Sequence, residues 1–321
     1  MLKPIKIIKN RSDIGAGTRG SDMGVDAIEI AAINNNSDYF NKYGFEDVKT
    51  HNESIYDKYR SSVAKRIEHV VEQCTRVNNT IKKSLTDNYF PLVLSGDHSS
   101  AVGTISGIKA AYPKQTLGVV WIDAHADLHS PYTTPSGNIH GMPLAAVLGD
   151  DNFDCQANDV AKDTEEHWNE MKNIGFPGPK VLAENLVYFG VRDTEETEDK
   201  QIKKLHIRNY KVDEVRHRGL DTCVDETLAK LAHCDLIYIS FDVDSMDCDL
   251  ISFGTGTPVS RGFDQFEIID IINRIIQSKK VVCMEVVEVN PLLDTKGNKM
   301  AETAFQVLEA ITTSLVIPKY R

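Results

Sequence analysis

Apolar and polar residues follow one another along the chain in two distinct patterns. Short runs that are apolar throughout are typical of strands covered on both faces, and longer stretches with one apolar side are typical of helices. The predicted strands are Ile5–Ile8, Phe90–Leu94, Leu117–Ile122, Leu186–Gly190, Leu236–Phe241 and Val281–Val287, with a weaker candidate at Asn209–Val212. The predicted helices are Ser61–Leu85, Thr104–Ala111, Glu196–Leu205, Glu226–Ala232, Phe266–Ser278 and Glu302–Ile317. Their alternation predicts a parallel sheet with helices on both sides.

No feature of the sequence divides the chain into domains. It contains no internal repeat, no low-complexity tract and no linker rich in Pro or Ser. The stretch Gly149–Pro179 is acidic and rich in turn-forming residues, which is typical of a surface excursion. We therefore predict a single α/β domain over residues 1–321, with three αβα layers and a mainly parallel sheet.

Charge and cysteine content narrow the possible partners. The chain has 47 acidic and 36 basic residues and a formal net charge of −11. An acidic surface argues against nucleic acid or an anionic membrane as the main partner, because both attract basic patches. No apolar stretch approaches the roughly 20 residues of a membrane span. The six cysteines are scattered and form neither a disulfide framework nor a zinc-finger pattern, so we expect reduced thiols in a cytoplasmic protein.

Residues capable of metal binding follow three of the predicted strands. The strand ending at Ile122 continues into Asp123-Ala-His125-Ala-Asp127. Side chains at alternate positions of an extended segment point the same way, so these three groups converge at the carboxyl end of a strand. Open α/β sheets place their sites at this edge.

The two other strands end in the same manner. Leu236–Phe241 continues into Asp242-Val-Asp244, and Phe90–Leu94 continues into Ser-Gly-Asp-His98. One Asp at a strand end is usually a cap or a turn residue, and a single buried His is more often a satisfied core residue than a ligand. Several carboxylates at one sheet edge repel one another unless cations neutralise them, so the three endings together favour a metal site.

The ligand types indicate which metal would bind. Carboxylates and two imidazoles without a thiolate argue against a sulfur-rich zinc site and favour divalent ions such as Mn²⁺, with Fe²⁺ or Co²⁺ as alternatives. Six ligands are too many for one ion with an open position. They suit two ions that share carboxylates and together generate a hydroxide nucleophile at neutral pH.

Several segments resemble the arginase (ureohydrolase) family. The three signature motifs of that family resemble Gly96–Ser99, Asp123–Asp127 and Ser240–Asp247, and further segments similar to the arginase branch are Thr133–Gly141, Thr255–Val259 and Glu285–Pro291. The resemblance extends from about residue 15 to the last helix. It implies an eight-stranded sheet and a dinuclear manganese hydrolase that converts L-arginine to L-ornithine and urea by attack of a metal-bridging hydroxide. It also implies a homo-oligomer, either a trimer or a hexamer.

The resemblance also implies a set of metal ligands, in which Asp123 and Asp242 bridge the two ions. One ion would take His98, Asp123, Asp127 and Asp242, and the other would take Asp123, His125, Asp242 and Asp244.

The implied catalytic residues are His140, Glu288 and the metal ligand Asp127. Glu288 would hold the guanidinium group through a paired carboxylate contact. His140 would transfer protons, since imidazole titrates near neutral pH. The plainer interpretations are a structural salt bridge for Glu288 and a loop histidine without a role for His140.

The implied substrate residues lie on loops. Thr134, Ser136 and Asn138 would receive the α-carboxylate, and Thr257 would lie near the guanidinium group. All four residue types are also ordinary turn formers.

Two substrate positions depart from the arginase pattern. His129 stands where the family usually has Asn, which helps to bind the α-carboxylate, and Glu195 stands where Asp usually faces the α-amino group. Both departures lie at the amino-acid end of the substrate, so the metal chemistry is better supported than the specificity for L-arginine. Because His129 can still donate a hydrogen bond to a carboxylate, L-arginine remains the first expectation.

Three other functions compete with arginine hydrolysis. The first is hydrolysis of agmatine, guanidinobutyrate or another small guanidino compound. The second is amide hydrolysis, because deacetylases resemble this fold, although their sites usually hold one zinc. The third is metal binding without catalysis, which leaves His140 and Glu288 without a purpose.

Overall fold

One sheet of eight strands passes through the protein, which we describe from a computed structural model over residues 3–315. Its order is β2-β1-β3-β8-β7-β4-β5-β6, and every pairing between these strands is parallel. The strands are β1 (Ile5–Asn10), β2 (Gly44–Asp47), β3 (Phe90–Ser95), β4 (Leu117–Ile122), β5 (Leu186–Phe189), β6 (Arg208–Tyr210), β7 (Leu236–Asp242) and β8 (Val281–Val287). The α/β fold and its eight-stranded parallel sheet are therefore confirmed.

In the described part of the chain, eleven α-helices connect and cover the strands. They are α1 (Gly24–Asn34), α2 (Tyr39–Lys42), α3 (Ile67–Thr86), α4 (Ala101–Ala111), α5 (Pro143–Leu148), α6 (Lys162–Asn173), α7 (Glu196–Lys204), α8 (Val212–Arg218), α9 (Leu220–Lys230), α10 (Gln265–Ile276) and α11 (Lys299–Leu315). Within residues 3–315 none of these helices is long and apolar enough to cross a membrane.

Two hydrophobic clusters lie on opposite faces of the sheet. In β4, Val120 and Ile122 pack into one cluster, while Val119 and Trp121 pack into the other, as the two-residue period of a strand requires. Helices α1, α9, α10 and α11 cover the first face, and α3, α4, α5 and α6 cover the second. Because both faces of the sheet are buried, its central strands are apolar at nearly every position.

The structure corrects several predicted boundaries. Helix α3 begins at Ile67 rather than Ser61, and α9 begins at Leu220 rather than Glu226. The predicted surface excursion contains α6, whose Trp168 and Met171 are buried in a helix that is otherwise strongly polar. Helix α11 begins at Lys299, and the last two residues of the helix predicted to end at 317 lie outside the described part of the chain.

Strand β2 and helix α1 were not predicted. The strand has only four residues, mostly exposed, at the edge of the sheet, so its sequence lacks an apolar run. The helix carries apolar and small residues on several sides, which weakens its periodic signal. Neither element contributes to the sheet edge where the predicted ligands lie.

Candidate metal centre

The predicted functional residues meet in one cavity at the carboxyl ends of the central strands. This cavity has a volume of about 270 Å³. Its lining residues follow β3, β4, β5, β7 and β8, which are neighbours in the sheet. The predicted site residues in the lining are His98, His125, Asp127, His129, Thr134, Ser136, Asn138, His140, Glu195, Asp242, Asp244, Thr257 and Glu288. The remaining predicted ligand, Asp123, is completely buried directly after β4.

Two site residues have backbone conformations that side chains normally avoid. Asp127 has φ of 51° and Glu288 has φ of 67°. Left-handed backbone at a residue other than glycine costs about 1–3 kcal/mol and persists only where surrounding contacts enforce it. Such strain concentrates at functional sites, and here it directs two carboxylates into the same cavity.

The first cluster of ligand atoms surrounds His98. Its Nδ1 lies 3.1 Å from the Oδ2 atom of each of Asp123, Asp127 and Asp242. Its Nε2 lies 2.7 Å from the Ser240 hydroxyl, and its ring stacks on Trp121 at a centroid distance of 4.1 Å. A hydrogen bond from Nε2 to the serine leaves the Nδ1 lone pair directed at the carboxylates, which is the arrangement that a metal-binding imidazole needs.

Two buried atoms of this cluster test whether a cation fits there. His98 Nδ1 and Asp123 Oδ2 have no hydrogen-bond partner within residues 3–315, although both are buried. A six-coordinate ion with ligands at roughly 2.2 Å holds adjacent ligand atoms about 3.1 Å apart. The spacing around His98 therefore suits a divalent cation bound among these four side chains.

The second cluster shares Asp123 with the first. His125 Nδ1 lies 3.0 Å from Asp244 Oδ2 and 3.5 Å from Asp123 Oδ1. The backbone N–H of Ala124 donates to Asp244 Oδ1 at 3.1 Å, and the Thr257 hydroxyl donates to Asp244 Oδ2 at 3.1 Å. These contacts orient the ligands, and the shared Asp123 is in the position expected of a bridging carboxylate.

The electrostatics of the carboxylates also favour bound cations. Burial, followed by the charge of Asp123, raises the pKa of Asp127 to about 6. Burial, followed by the charges of Asp244 and Asp123, raises the pKa of Asp242 well above its usual value. Crowded, buried carboxylates resist ionisation because each charge disfavours the next. Two divalent cations would remove this repulsion, and the oxygen and nitrogen donors suit ions such as Mn²⁺.

Glu288 and His140 contact each other beside the first cluster. His140 Nδ1 lies 3.0 Å from Glu288 Oε1, which also accepts a 3.0 Å hydrogen bond from the backbone N–H of His98. Burial alone would lower the pKa of His140, but the hydrogen bond to Glu288 and the nearby carboxylates raise it to about 9. The same contact lowers the pKa of Glu288 against the effect of burial, so the carboxylate is anionic.

The predicted carboxylate-binding loop uses its hydrogen-bond acceptors internally. The Thr134 hydroxyl oxygen accepts from the backbone N–H of Gly137 at 2.9 Å, and the Ser136 hydroxyl oxygen accepts from the backbone N–H of Asn138 at 3.2 Å. The Asn138 side-chain oxygen accepts from Lys65 at 3.2 Å. The Thr134 and Ser136 oxygens thus make turn contacts, while the two hydroxyl protons and the Asn138 amide protons are not used in these contacts.

His129 lies in contact with Glu195. Its Nε2 is 3.0 Å from Glu195 Oε2, and its Nδ1 is 3.2 Å from the Thr133 hydroxyl. The hydrogen bond from His129 lowers the pKa of Glu195 to about 2. Both departures from the arginase pattern thus form one pair of side chains.

Sequence reasoning missed a third member of this group, Glu198. It is buried, and it accepts hydrogen bonds at 3.2 Å from the backbone N–H groups of Leu128 and Glu195. Its Oε2 lies 3.7 Å from His129 Nε2. The available signal was the spacing of Glu195 and Glu198 at the start of a predicted helix, which is the spacing of a capping box.

The charge of the cavity favours cationic ligands. Among the described residues that line it, seven are carboxylates and none is Lys or Arg. Metal ions would neutralise Asp127, Asp242 and Asp244, and Glu288 contacts His140. The remaining three, Asp193, Glu195 and Glu198, lie at the start of α7 or just before it.

Comparison with known proteins gives one consistent result. The family model described as "Arginase family" matches residues 3–313. An arginase from Bacillus subtilis is 34% identical over 313 residues, covering 97% of this chain and 98% of its own, and one from Bacillus caldovelox is 34% identical over 315 residues with the same coverage. A solved structure of the Bacillus caldovelox arginase superposes with a TM-score of 0.82 at 33% identity, covering 96% of this chain and 98% of that one.

Proposed function

Because this chain belongs to the arginase family of hydrolases, we propose that it hydrolyses L-arginine to L-ornithine and urea with two divalent cations, preferably Mn²⁺. The observation that carries this proposal is the pair of ligand clusters that share Asp123 and lie beside the buried carboxylate of Glu288. One cluster offers a place for each cation, and Glu288 offers an anchor for a guanidinium group.

The ligands divide between the two cations as the geometry suggests. His98, Asp127 and Asp242 would hold one ion, His125 and Asp244 would hold the other, and Asp123 would bind both. When bound, the two ions supply the charge that makes water nucleophilic at neutral pH. A second bridging role for Asp242 rests on the family resemblance.

Glu288 binds and orients the substrate in this proposal. Its carboxylate is anionic and buried, so the planar guanidinium group gains a charge-assisted contact that water does not weaken. The contact holds the guanidinium carbon beside the ligand clusters. Because the reacting groups are already in position, the entropic part of the activation barrier is lower. Thr257 would lie near the bound guanidinium group, since it lines the cavity and its hydroxyl contacts the ligand Asp244.

His140 holds the proton that the leaving amine requires. Its imidazole contacts Glu288, so a proton on Nδ1 is already adjacent to the bound guanidinium group. Hydrolysis breaks the bond between the guanidinium carbon and the Nε atom that is attached to Cδ, and that nitrogen leaves as the side-chain amine of ornithine after it takes up a proton. An imidazole next to this bond is suited to deliver it.

The far end of the substrate would meet two kinds of group. The protons of Thr134, Ser136 and Asn138 suit an α-carboxylate, and the carboxylate of Glu195 suits an α-amino group. A substrate with both groups matches this end of the cavity best, which favours L-arginine over agmatine and guanidinobutyrate.

Urea release tests the proposal. The protein is loaded with Mn²⁺ and supplied in parallel with L-arginine, agmatine, guanidinobutyrate and guanidine. We expect turnover of L-arginine well above that of the others. Turnover of another compound would retain the hydrolytic proposal and replace the substrate, while no urea from any compound would contradict it.

A further inference from the structure

His129, Glu195 and Glu198 form a side-chain group outside the metal clusters. One imidazole and two carboxylates lie with ligand-type atoms within 4.8 Å of one another. The side chains of His129 and Glu198 are 8% and 4% exposed, whereas that of Glu195 is 56% exposed. The group therefore has two buried members and one exposed member, and all three line the cavity.

The hydrogen bonds around His129 engage both nitrogens of its ring. A carboxylate only accepts hydrogen bonds, so the contact with Glu195 requires a proton on Nε2 of His129. On the other side of the ring, the Thr133 hydroxyl oxygen accepts from the backbone N–H of Ser130 at 3.0 Å and can donate its own proton to Nδ1. Both ring nitrogens of His129 are therefore engaged, Nε2 by Glu195 and Nδ1 by the Thr133 hydroxyl, and neither is left to bind the carboxylate of a substrate.

The contact with His129 adds to the capping box at the start of α7 in holding Glu195 in one conformation. Glu195 lies at the start of α7, more than half of its side chain is exposed, and an exposed glutamate has many accessible rotamers. His129 cannot move with it, because its ring is buried and bonded at both nitrogens. The contact therefore restrains Glu195 Oε2 within the lining of the cavity.

We propose that His129 is a positioning residue that orients Glu195 toward the α-amino group of the substrate, and that it does not bind the α-carboxylate. The proposal deepens the proposed function and rests on it, since it names the substrate group that this end of the cavity recognises. Specificity for an amino acid then depends on the His129–Glu195 pair. In the arginase pattern the same two positions make separate contacts, one with the α-carboxylate and one with the α-amino group of the substrate.

Three product-like ligands separate the two roles, because none of them has a guanidinium group to hydrolyse. L-Ornithine carries both the α-amino and the carboxylate group, putrescine lacks the carboxylate, and δ-aminovalerate lacks the α-amino group. Their dissociation constants are measured by calorimetry on the Mn²⁺-loaded wild type and on His129→Ala. We expect the variant to bind ornithine and putrescine about tenfold more weakly, with δ-aminovalerate unchanged within about twofold.

Two further variants distinguish positioning from general damage. The amide nitrogen of a glutamine reaches about as far as Nε2 of histidine, so His129→Gln should restore most of the affinity for putrescine. In a Glu195→Gln background, His129→Ala should have little additional effect, because its partner charge is already gone. The KM for L-arginine should rise in His129→Ala while kcat changes little.

Other outcomes would overturn the inference. Loss of δ-aminovalerate binding with putrescine unaffected would mean that His129 binds the carboxylate. If His129→Ala weakened the binding of all three ligands equally, or of none of them, His129 would have only a structural role. A third equivalent of Mn²⁺ that disappears in His129→Ala would mean that the group holds a metal. Absence of urea would contradict the proposed function, but these binding constants would still decide the role of His129.

Discussion

The two ends of the cavity are built in different ways. At the metal end, the side chains of His98, Asp123, Asp127 and Asp242 are at most 8% exposed, and each lies at the carboxyl end of a central strand or a few residues beyond it. At the amino-acid end, the groups lie on a loop and at the start of α7, and Glu195 and Ser136 are exposed. The sheet holds the first set in place, whereas the second depends on local hydrogen bonds.

This difference explains where the chain departs from the arginase pattern. Removing one member of a buried charged cluster leaves the others uncompensated, at a cost of several kcal/mol. Exchanging a residue at the amino-acid end alters only its local hydrogen bonds, whether the side chain is half-exposed, as at Glu195, or buried, as at His129. His129 and Glu195, the two departures, both lie at the amino-acid end, and they contact each other.

The largest effect should come from a ligand at the metal end. Asp127→Asn removes one charge from the cluster around His98, so the variant should lose bound Mn²⁺ and roughly a hundred- to thousandfold of its turnover. Metal analysis and urea release measure both losses. Asp221→Asn, an exposed residue 75% accessible to solvent, is the matched control and should behave as wild type. Full turnover of Asp127→Asn with bound metal would show that this cluster is not the reaction centre.

A smaller effect should come from the junction of the two ends. Glu288→Gln keeps the shape of the guanidinium anchor and removes its charge, so kcat/KM for L-arginine should fall about a hundredfold. Metal content should not change, because Glu288 is not among the ligand atoms around His98 or His125. If Glu288→Gln also lost bound Mn²⁺, Glu288 would belong with the metal ligands rather than with the substrate-binding residues.

A moderate effect should come from the amino-acid end. Glu195→Gln should raise the KM for L-arginine about tenfold, since a charge-assisted contact with the α-amino group is lost. The content of Mn²⁺ and kcat should remain near the wild-type values. If kcat fell and KM did not, Glu195 would act on the chemical step and the two ends would not be independent.

The smallest effect should come from the exposed rim. Ser136→Ala removes one neutral hydrogen-bond donor, so the KM for L-arginine should rise only about threefold. Agmatine, which has no carboxylate, should be unaffected. An equal change for both compounds would mean that Ser136 only shapes the turn that its hydroxyl oxygen forms with the Asn138 backbone.

The strands and the metal end could be predicted because their signals are local. The apolar run Leu117–Ile122 followed by alternate ligands specifies both a strand and the side toward which Asp123, His125 and Asp127 point. The amino-acid end gave no comparable signal. The role of Glu198 depends on the backbone N–H of Leu128, seventy residues earlier in the chain, and the edge strand β2 has no apolar run.

By itself, the sequence determined the α/β class, most strands and the chemical types of the metal ligands, since residue periodicity and strand-end motifs are properties of adjacent residues. The tertiary structure decided which strands are neighbours, and therefore that ligands from β3, β4 and β7 converge on His98. It also decided that both nitrogens of His129 are engaged, because Glu195 reaches it only when β4 and β5 pair. Long-range pairing sets these contacts, and no short stretch of sequence encodes it.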